Sequence, residues 1–441
     1  MTAMLRFLYD MPGVVRLVRR VASLSLFLLI LFLPRLEASE PVSPASPKTA
    51  EASPLYVNLF ERPVRPTFEI VRPIPPHDFT ADSLAALRSR EMRAVWLTTN
   101  YRLDWPSVAG TSERIIARQK RELVDMLDRL QALGINTIFF QARLKGETFY
   151  RSSLEPMSAF LTGKPGAVSA FDPLAFAVRA CHDRGMQIHA WMVCMPFGSA
   201  KQIARQGRQG QYERLKPFTT LHEGEYFLEP SDPRTADYLA SIAAEIVGLY
   251  DVDGIHLDYI RYPEKSATFP DKARFEASGA SSRSQWRRDN ITHIVSTIYD
   301  RIHAVRPTVM LSSAPLGLRN GRNGGDYFGW NAYDAGYQEV ERWFAEGKHD
   351  FVVPMMYYKD AMYYPFVADW VRRSHGHAII PGLGIYRLSD GSKGWTVDEI
   401  ERQIRWARQV GAGGYALFRA RNLLDDSVLL PWRINALNTE E

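Results

Sequence analysis

From Arg93 onward the chain alternates between two hydrophobic patterns. Eight short runs of β-branched and aromatic residues have the length and composition of buried strands: RAVWLTT (93–99), TIFFQAR (137–143), QIHAWMV (187–193), GIHLDYI (254–260), VMLSSAP (309–315), FVVPMMYY (351–358), AIIPGLGI (378–385) and GGYALFRA (413–420). Between them, residues 113–133, 173–184, 234–250, 285–306, 335–347, 365–374 and 397–409 space their apolar side chains three or four apart, which predicts helices. Gly134 and Gly185 stand where a helix ends just before a strand, a place where the left-handed cap favours glycine.

Strands that each lead into a helix or a long loop predict an α/β chain folded as a (β/α)8 TIM barrel, with long loops at the C-terminal strand ends. A doubly wound sheet would want a glycine-rich turn after its first strand, and Thr98-Thr99-Asn100-Tyr101 offers none. The domain is expected over residues 91–432. In a barrel the chemistry sits on the loops that follow the strands, so those loops are where function is sought.

Ahead of the domain the pattern changes. An arginine-bearing stretch precedes an apolar run from Leu24 to Leu33, closed by Pro34 and by small residues at Ala38 and Ser39. Residues 1–38 are therefore expected to be a secretory signal peptide or, if uncleaved, an N-terminal anchor, since the run falls short of the about 20 apolar residues that a membrane span needs. Residues 39–66, rich in Pro, Ser and Ala, read as a linker; residues 67–90 read as a lead-in with a short helix over 81–89. Cys181 and Cys194 are the chain's two cysteines, so none follows the apolar run closely and a lipoprotein anchor is excluded. The expected location is periplasmic or secreted, with a membrane met only through an uncleaved anchor.

Composition narrows the partners. In 441 residues, 46% hydrophobic and 12% aromatic side chains supply ample core, while two cysteines exclude a disulfide scaffold and a Cys-rich zinc module. The formal charge of +5 shrinks on inspection, because residues 1–38 hold five arginines against two acids and leave 49 cationic against 47 anionic side chains elsewhere. That balance makes no case for a nucleic-acid partner.

Candidate chemistry starts at the fourth strand. By period two, His256, Asp258 and Ile260 share one face and Ile255, Leu257 and Tyr259 the other. A carboxylate among apolar strand residues is expensive to bury unless it is paired or used. An ion pair with Arg143 or Arg261 is one reading; the place at a barrel's catalytic end favours use. Glu147, in the loop after the second strand, is the first-choice partner. Asp360, after the sixth, is the second, although a turn Asp ahead of a helix also serves as an N-cap. Such a pair suits glycosidic bonds, whose cleavage needs one acid for the leaving oxygen and one carboxylate for the sugar carbon or its attacking water, with Asp258 as nucleophile or base. Sequence carries no separation between the two, so retention and inversion both stay open.

Arg143, His256, Arg261 and Tyr357 are candidates to position a sugar. Tyr101, Trp105, Tyr259 and Trp330 are among loop aromatics whose flat faces suit sugar C–H groups. Trp96 and Trp191, inside strands, are expected to pack the barrel, and His189 to be a hydrogen-bonded barrel residue. Residues 261–284 and 317–331 are long enough to wall a cleft, and the basic segment 201–216 reads as solvated loop. The chain has no G-x-S-x-G elbow, P-loop or H-E-x-x-H, and its first strand lacks the His-x-His pair of metal-dependent barrel hydrolases. Cys194 reads as a buried thiol unbridged to Cys181. No metal or cofactor is called for.

At these residues the chain resembles the glycosyl-hydrolase-like 10 family over about residues 91 to 420. Glu91 to Thr98 with Asp104-Trp105-Pro106, Asn136 to Arg143 with Gly146-Glu147-Thr148-Phe149-Tyr150, Phe171-Asp172-Pro173-Leu174, His189-Ala190-Trp191, Asp253 to Tyr259 and Trp286 to Asn290 carry the resemblance. It implies a barrel hydrolase of the bacterial envelope, some relatives cleaving peptidoglycan glycan strands stripped of stem peptides. Many relatives show Asp where this chain has Glu147, a carboxyl either way, which favours Glu147 over Asp360. Many also carry an Asn soon after His-Ala-Trp, where this chain has Val193-Cys194. The expected function is glycoside hydrolysis of an envelope polysaccharide, most simply peptidoglycan. A non-catalytic glycan-binding barrel is the alternative.

Overall fold

The computed structural model describes residues 90–206, 211–320 and 329–425. The expected signal or anchor, linker and lead-in helix lie outside these residues, as do much of the 317–331 loop and the C-terminal end of the domain.

Inward and outward alternation builds the barrel. The strands are β1 (Met92–Leu97), β2 (Thr137–Leu144), β3 (Gln187–Val193), β4 (Gly254–Asp258), β5 (Met310–Ser313), β6 (Phe351–Val352), β7 (Ala378–Ile379), β8 (Gly382–Leu383) and β9 (Gly414–Leu417). They pair in parallel in the order β7-β6-β5-β4-β3-β2-β1-β9-β8. β7 and β8 are two halves of the predicted seventh strand, split because Pro381 has no N–H to give the ladder. That bipartite strand closes the ring: Gly382 N donates to Pro354 O at 2.9 Å on one side, and Gly413 N donates to Ile379 O at 3.0 Å on the other. Pro354 likewise confines β6 to two residues, with a bridge resuming at Met355.

Trp96, Phe139, Trp191, Val193, Met310, Phe351, Val353 and Ile380 fill the barrel's interior. Their neighbours one residue along, such as Val95, Ile138, Met192, Leu311 and Val352, face outward into the layer shared with the helices. The helices that follow the strands around the barrel include α1 (Glu113–Ala132), α2 (Pro173–His182), α3 (Pro233–Leu249), α4 (Arg283–Val305), α5 (Val340–Ala345), α6 (Tyr364–Arg372) and α7 (Val397–Gln409). Asp172 and Asp232 cap α2 and α3 ahead of a proline in the first turn. The helix expected over 335–347 is limited to α5, since Tyr337 stands in left-handed backbone at φ +58° and no helix passes through that conformation. Among the described residues no helix is long and apolar enough to cross a membrane.

Two positions depart from the expected faces. β4 ends at Asp258, and Tyr259 adopts φ +51°, so alternation stops: Ile260 turns into the outer core and Tyr259 packs toward the barrel interior. His189 is buried with no hydrogen-bond partner at either ring nitrogen among the described residues, in place of the expected hydrogen-bonded residue. Burial pushes its pKa down to about 4, so the ring is neutral, wedged edge-on to Phe139 and Phe351. A Cβ on Gly254 would lie 2.2 Å from His189 Nδ1, which is why only glycine fits at the start of β4. Gly254→Ala is expected to cost about 1–3 kcal/mol in denaturant unfolding, with part of the loss recovered when His189→Ala is added.

Candidate active site

A cavity of about 300 Å³ opens at the C-terminal end of the barrel, and every strand position sends a side chain to it. Trp96, Thr98, Asn100 and Leu103 come from β1 and its loop, Gln141 from β2, Trp191 and Val193 from β3, and Asp258 and Tyr259 from β4. Ala314, Met355 and Tyr357 follow β5 and β6; Tyr386, Ser389 and Asp390 follow β8; Phe418, Arg419 and Asn422 follow β9. Two of these groups are carboxylates.

Asp258 is 7% exposed. Trp191 Nε1 donates to its Oδ2 at 3.1 Å, and the backbone N–H of Tyr259 donates to Oδ1 at 2.8 Å. Both contacts favour the charged form, as does the nearby Arg261 guanidinium, yet desolvation is the largest effect and pushes the pKa up to about 6. Trp191 and Trp96, expected only to pack the barrel, thus also form the cavity's surface. Beneath them, Trp96 Nε1 donates to His256 Nε2 at 3.1 Å, leaving His256 Nδ1 to donate to Ser312 Oγ at 2.9 Å. His256 stacks on Phe139 with centroids 4.1 Å apart and is held neutral by burial. It supports the cavity's floor without lining it.

The rim is braced by side chains outside the expected site residues. Gln141 Oε1 accepts from Thr98 Oγ1, Thr99 N and Asn100 N at 2.9, 3.0 and 2.8 Å, fixing the first loop. Asp104 ties that loop to the last one, accepting from Thr98 N at 2.8 Å and Arg421 N at 2.9 Å. Period two from Phe139 puts Gln141 on the inward face; Asp390, in a Ser-Asp-Gly-Ser turn, carries only a turn signal. Tyr357, Tyr386 and Phe418 meet edge-on or tilted at 5.5–5.9 Å and form an aromatic wall. Asn100 Oδ1 and Asn422 Oδ1 are buried without a hydrogen-bond partner among the described residues.

Of the expected site residues, Asp258, Tyr259 and Tyr357 line the cavity together. The others stand elsewhere. Glu147 Oε2 accepts from Ser158 Oγ at 2.8 Å and Ala159 N at 3.2 Å; burial pushes its pKa up to about 7 and that of neighbouring Lys145 down to about 7. Asp360 is exposed, 3.0 Å from Lys359, on a separate shallow surface. Arg143 is fully buried against Glu155 at 2.8 Å and donates to Cys194 O at 3.0 Å, so it joins the ends of β2 and β3 to α3 instead of facing the cavity. Trp105 is also fully buried, donating to Gln119 O at 2.8 Å. Tyr101, 37% exposed, packs on Phe160 under Lys145. Arg261 lies between the rings of Tyr259 and Trp330 at 4.6 and 5.2 Å, beside the cavity. Cys181 and Cys194 are free and buried, with their thiol pKa values raised by desolvation. Among the described residues no three His, Cys, Asp or Glu side chains gather to hold a metal ion.

The comparisons decide the family. The family model described as "Glycosyl hydrolase-like 10" matches residues 91–381. The chain belongs to the glycosyl hydrolase-like 10 family. It is 31% identical to "Glycosyl hydrolase YngK" of Bacillus subtilis (strain 168), over 74% of this chain and 67% of the relative. It is 29% identical to "Glycosyl hydrolase DigH" of Escherichia coli (strain K12), over 75% of this chain and 83% of the relative. Among solved structures, the glycoside hydrolase domain of PgaB (BpsB) from Bordetella bronchiseptica superposes with a TM-score of 0.55 at 14% identity, covering 79% of this chain and 98% of that one. That likeness establishes the TIM-barrel fold. As a member of the family, the glycosyl-hydrolase-like 10 protein described here is a glycoside hydrolase.

Burial of Asp258 has a measurable sign. Its folded pKa of about 6 lies above the ordinary 3.8, so the folded state bears no penalty below about pH 3.8 and the full penalty above about pH 6. That penalty is on the order of 3 kcal/mol. The stability of Asp258→Asn relative to the unsubstituted protein, from unfolding at pH 4 and pH 7.5, should therefore improve by about that much at the higher pH. A difference independent of pH would refute the buried, proton-retaining carboxyl.

Proposed function

We propose that the protein hydrolyses glycosidic bonds of a bacterial envelope polysaccharide, with peptidoglycan glycan strands as the favoured substrate, by a two-carboxylate mechanism. The observation that carries this reading is Asp258, a carboxyl kept protonated into the mildly acidic range in an aromatic-walled, sugar-sized cavity at the catalytic end of the barrel. A group of that kind is suited to donate a proton to the leaving glycosidic oxygen, so the raised pKa favours the acid's part over the nucleophile's or base's part expected from sequence. The neighbouring rings would meet the apolar face of a sugar, and the polar side chains of Asn100 and Asn422 line the same cavity. The secretory pattern of residues 1–38 supports a periplasmic or secreted location, where envelope glycans are met.

Incubation of the protein with peptide-free glycan strands, followed by mass analysis, should yield shorter sugars. Asp258→Asn should lower turnover by about 10²–10⁴-fold while leaving strand binding in place. Binding without any product would favour the glycan-binding barrel. Turnover should also decline as pH rises through about 6, where Asp258 loses its proton, and that limb should vanish in Asp258→Asn. A rate that rises through pH 6 would exclude Asp258 as the acid.

A further inference from the structure

In the two-carboxylate scheme of glycoside hydrolysis the acid is joined by a second carboxylate that acts on the sugar carbon or on its attacking water. Among the described residues the cavity holds one other, Asp390. It stands in the loop after β8, three strand positions around the ring from Asp258, so the cavity lies between the two. Ser392 N donates to its Oδ1 at 2.8 Å and orients the carboxyl within a turn that continues through Gly391 at φ +77°. The side chain is half-buried, reached by solvent from the mouth, and among the described residues no cation stands within ion-pairing distance of it. Neither rival has this placement. Glu147 is held by Ser158 and Ala159 and lies outside the cavity's lining, and Asp360 is exposed beside Lys359.

We propose that Asp390 is the second catalytic carboxylate, the base that activates the hydrolytic water. The assignment rests on the hydrolase reading above. Asp258 gives its proton to the glycosidic oxygen as the bond from that oxygen to C1 breaks, and the bonding pair leaves with the oxygen. A water on the opposite face of the ring bonds to C1 while its proton passes to Asp390. The sum is one water consumed per bond cleaved, with inversion at C1, and exchange with solvent returns the proton to Asp258.

The test uses Asp390→Asn and Asp390→Ser, the latter retaining a side-chain acceptor for Ser392 N. On peptide-free glycan strands both should lower kcat by about 10²–10⁴-fold, with strand affinity and thermal unfolding close to those of the unsubstituted protein. Proton NMR of the first product should show the inverted anomer. Turnover by Asp390→Asn within about tenfold of the unsubstituted protein, or a retained anomer, overturns the assignment while leaving the hydrolase reading in place. So does selective loss of turnover in Glu147→Gln or Asp360→Asn. If the unsubstituted protein cleaves no glycan at all, the substrate and mechanism reading falls, and the role of Asp390 falls with it.

Discussion

The structure turns on keeping an ionisable carboxyl where water is scarce. Asp258 ends β4 above a floor of packed rings, and an isolated charge in such a place is strongly disfavoured. Two N–H donors, one from Trp191 and one from the backbone of Tyr259, take up both of its oxygens without neutralising it. A full ion pair, of the kind Arg143 makes deeper in the same molecule, would have favoured the charged form far more strongly. The two donors and the Arg261 guanidinium only partly offset desolvation, so the proton is held up to about pH 6. The cost to stability and the capacity to act as an acid therefore share one cause.

Much of the remaining architecture serves to hold that site open and rigid. Small or neutral groups fill the levels below it: Gly254 makes room for His189, while His256 couples Trp96 to Ser312. Above, Gln141 and Asp104 use side-chain oxygens to bind loops from opposite ends of the chain. These loops carry only single helical turns, Asn100–Arg102 and Ala420–Leu423, so buried hydrogen bonds do much of the positioning. The outcome is a mouth to which every strand position contributes while no single loop dominates.

The parallel strands were legible because their apolar runs are short, rich in β-branched residues and separated by helical periods. The proline breaks at 354 and 381 shortened strands without altering their order. Period two correctly paired His256 with Asp258 and failed one residue later, because left-handed backbone at Tyr259 ends the alternation. Their place inside strands marks Trp96 and Trp191 as packing residues, yet in a barrel the topmost layer of packing is also the floor of the cavity. Charged residues at and beyond the strand ends were the least legible. Arg143, Glu147 and Asp360 all carry the right chemistry near strand ends, and only the loops' three-dimensional course separates a buried ion pair, a buried turn carboxyl and an exposed side chain from a cavity wall.

By itself the sequence determined the fold class, the family, the direction of the strands and the one acid on an inward strand face, since periodicity and local motifs are properties of neighbouring residues. The tertiary structure decided which other groups share that acid's cavity and which proton it keeps. Those depend on distances between loops far apart in the chain and on how much water burial removes, and neither is encoded in any local stretch of residues.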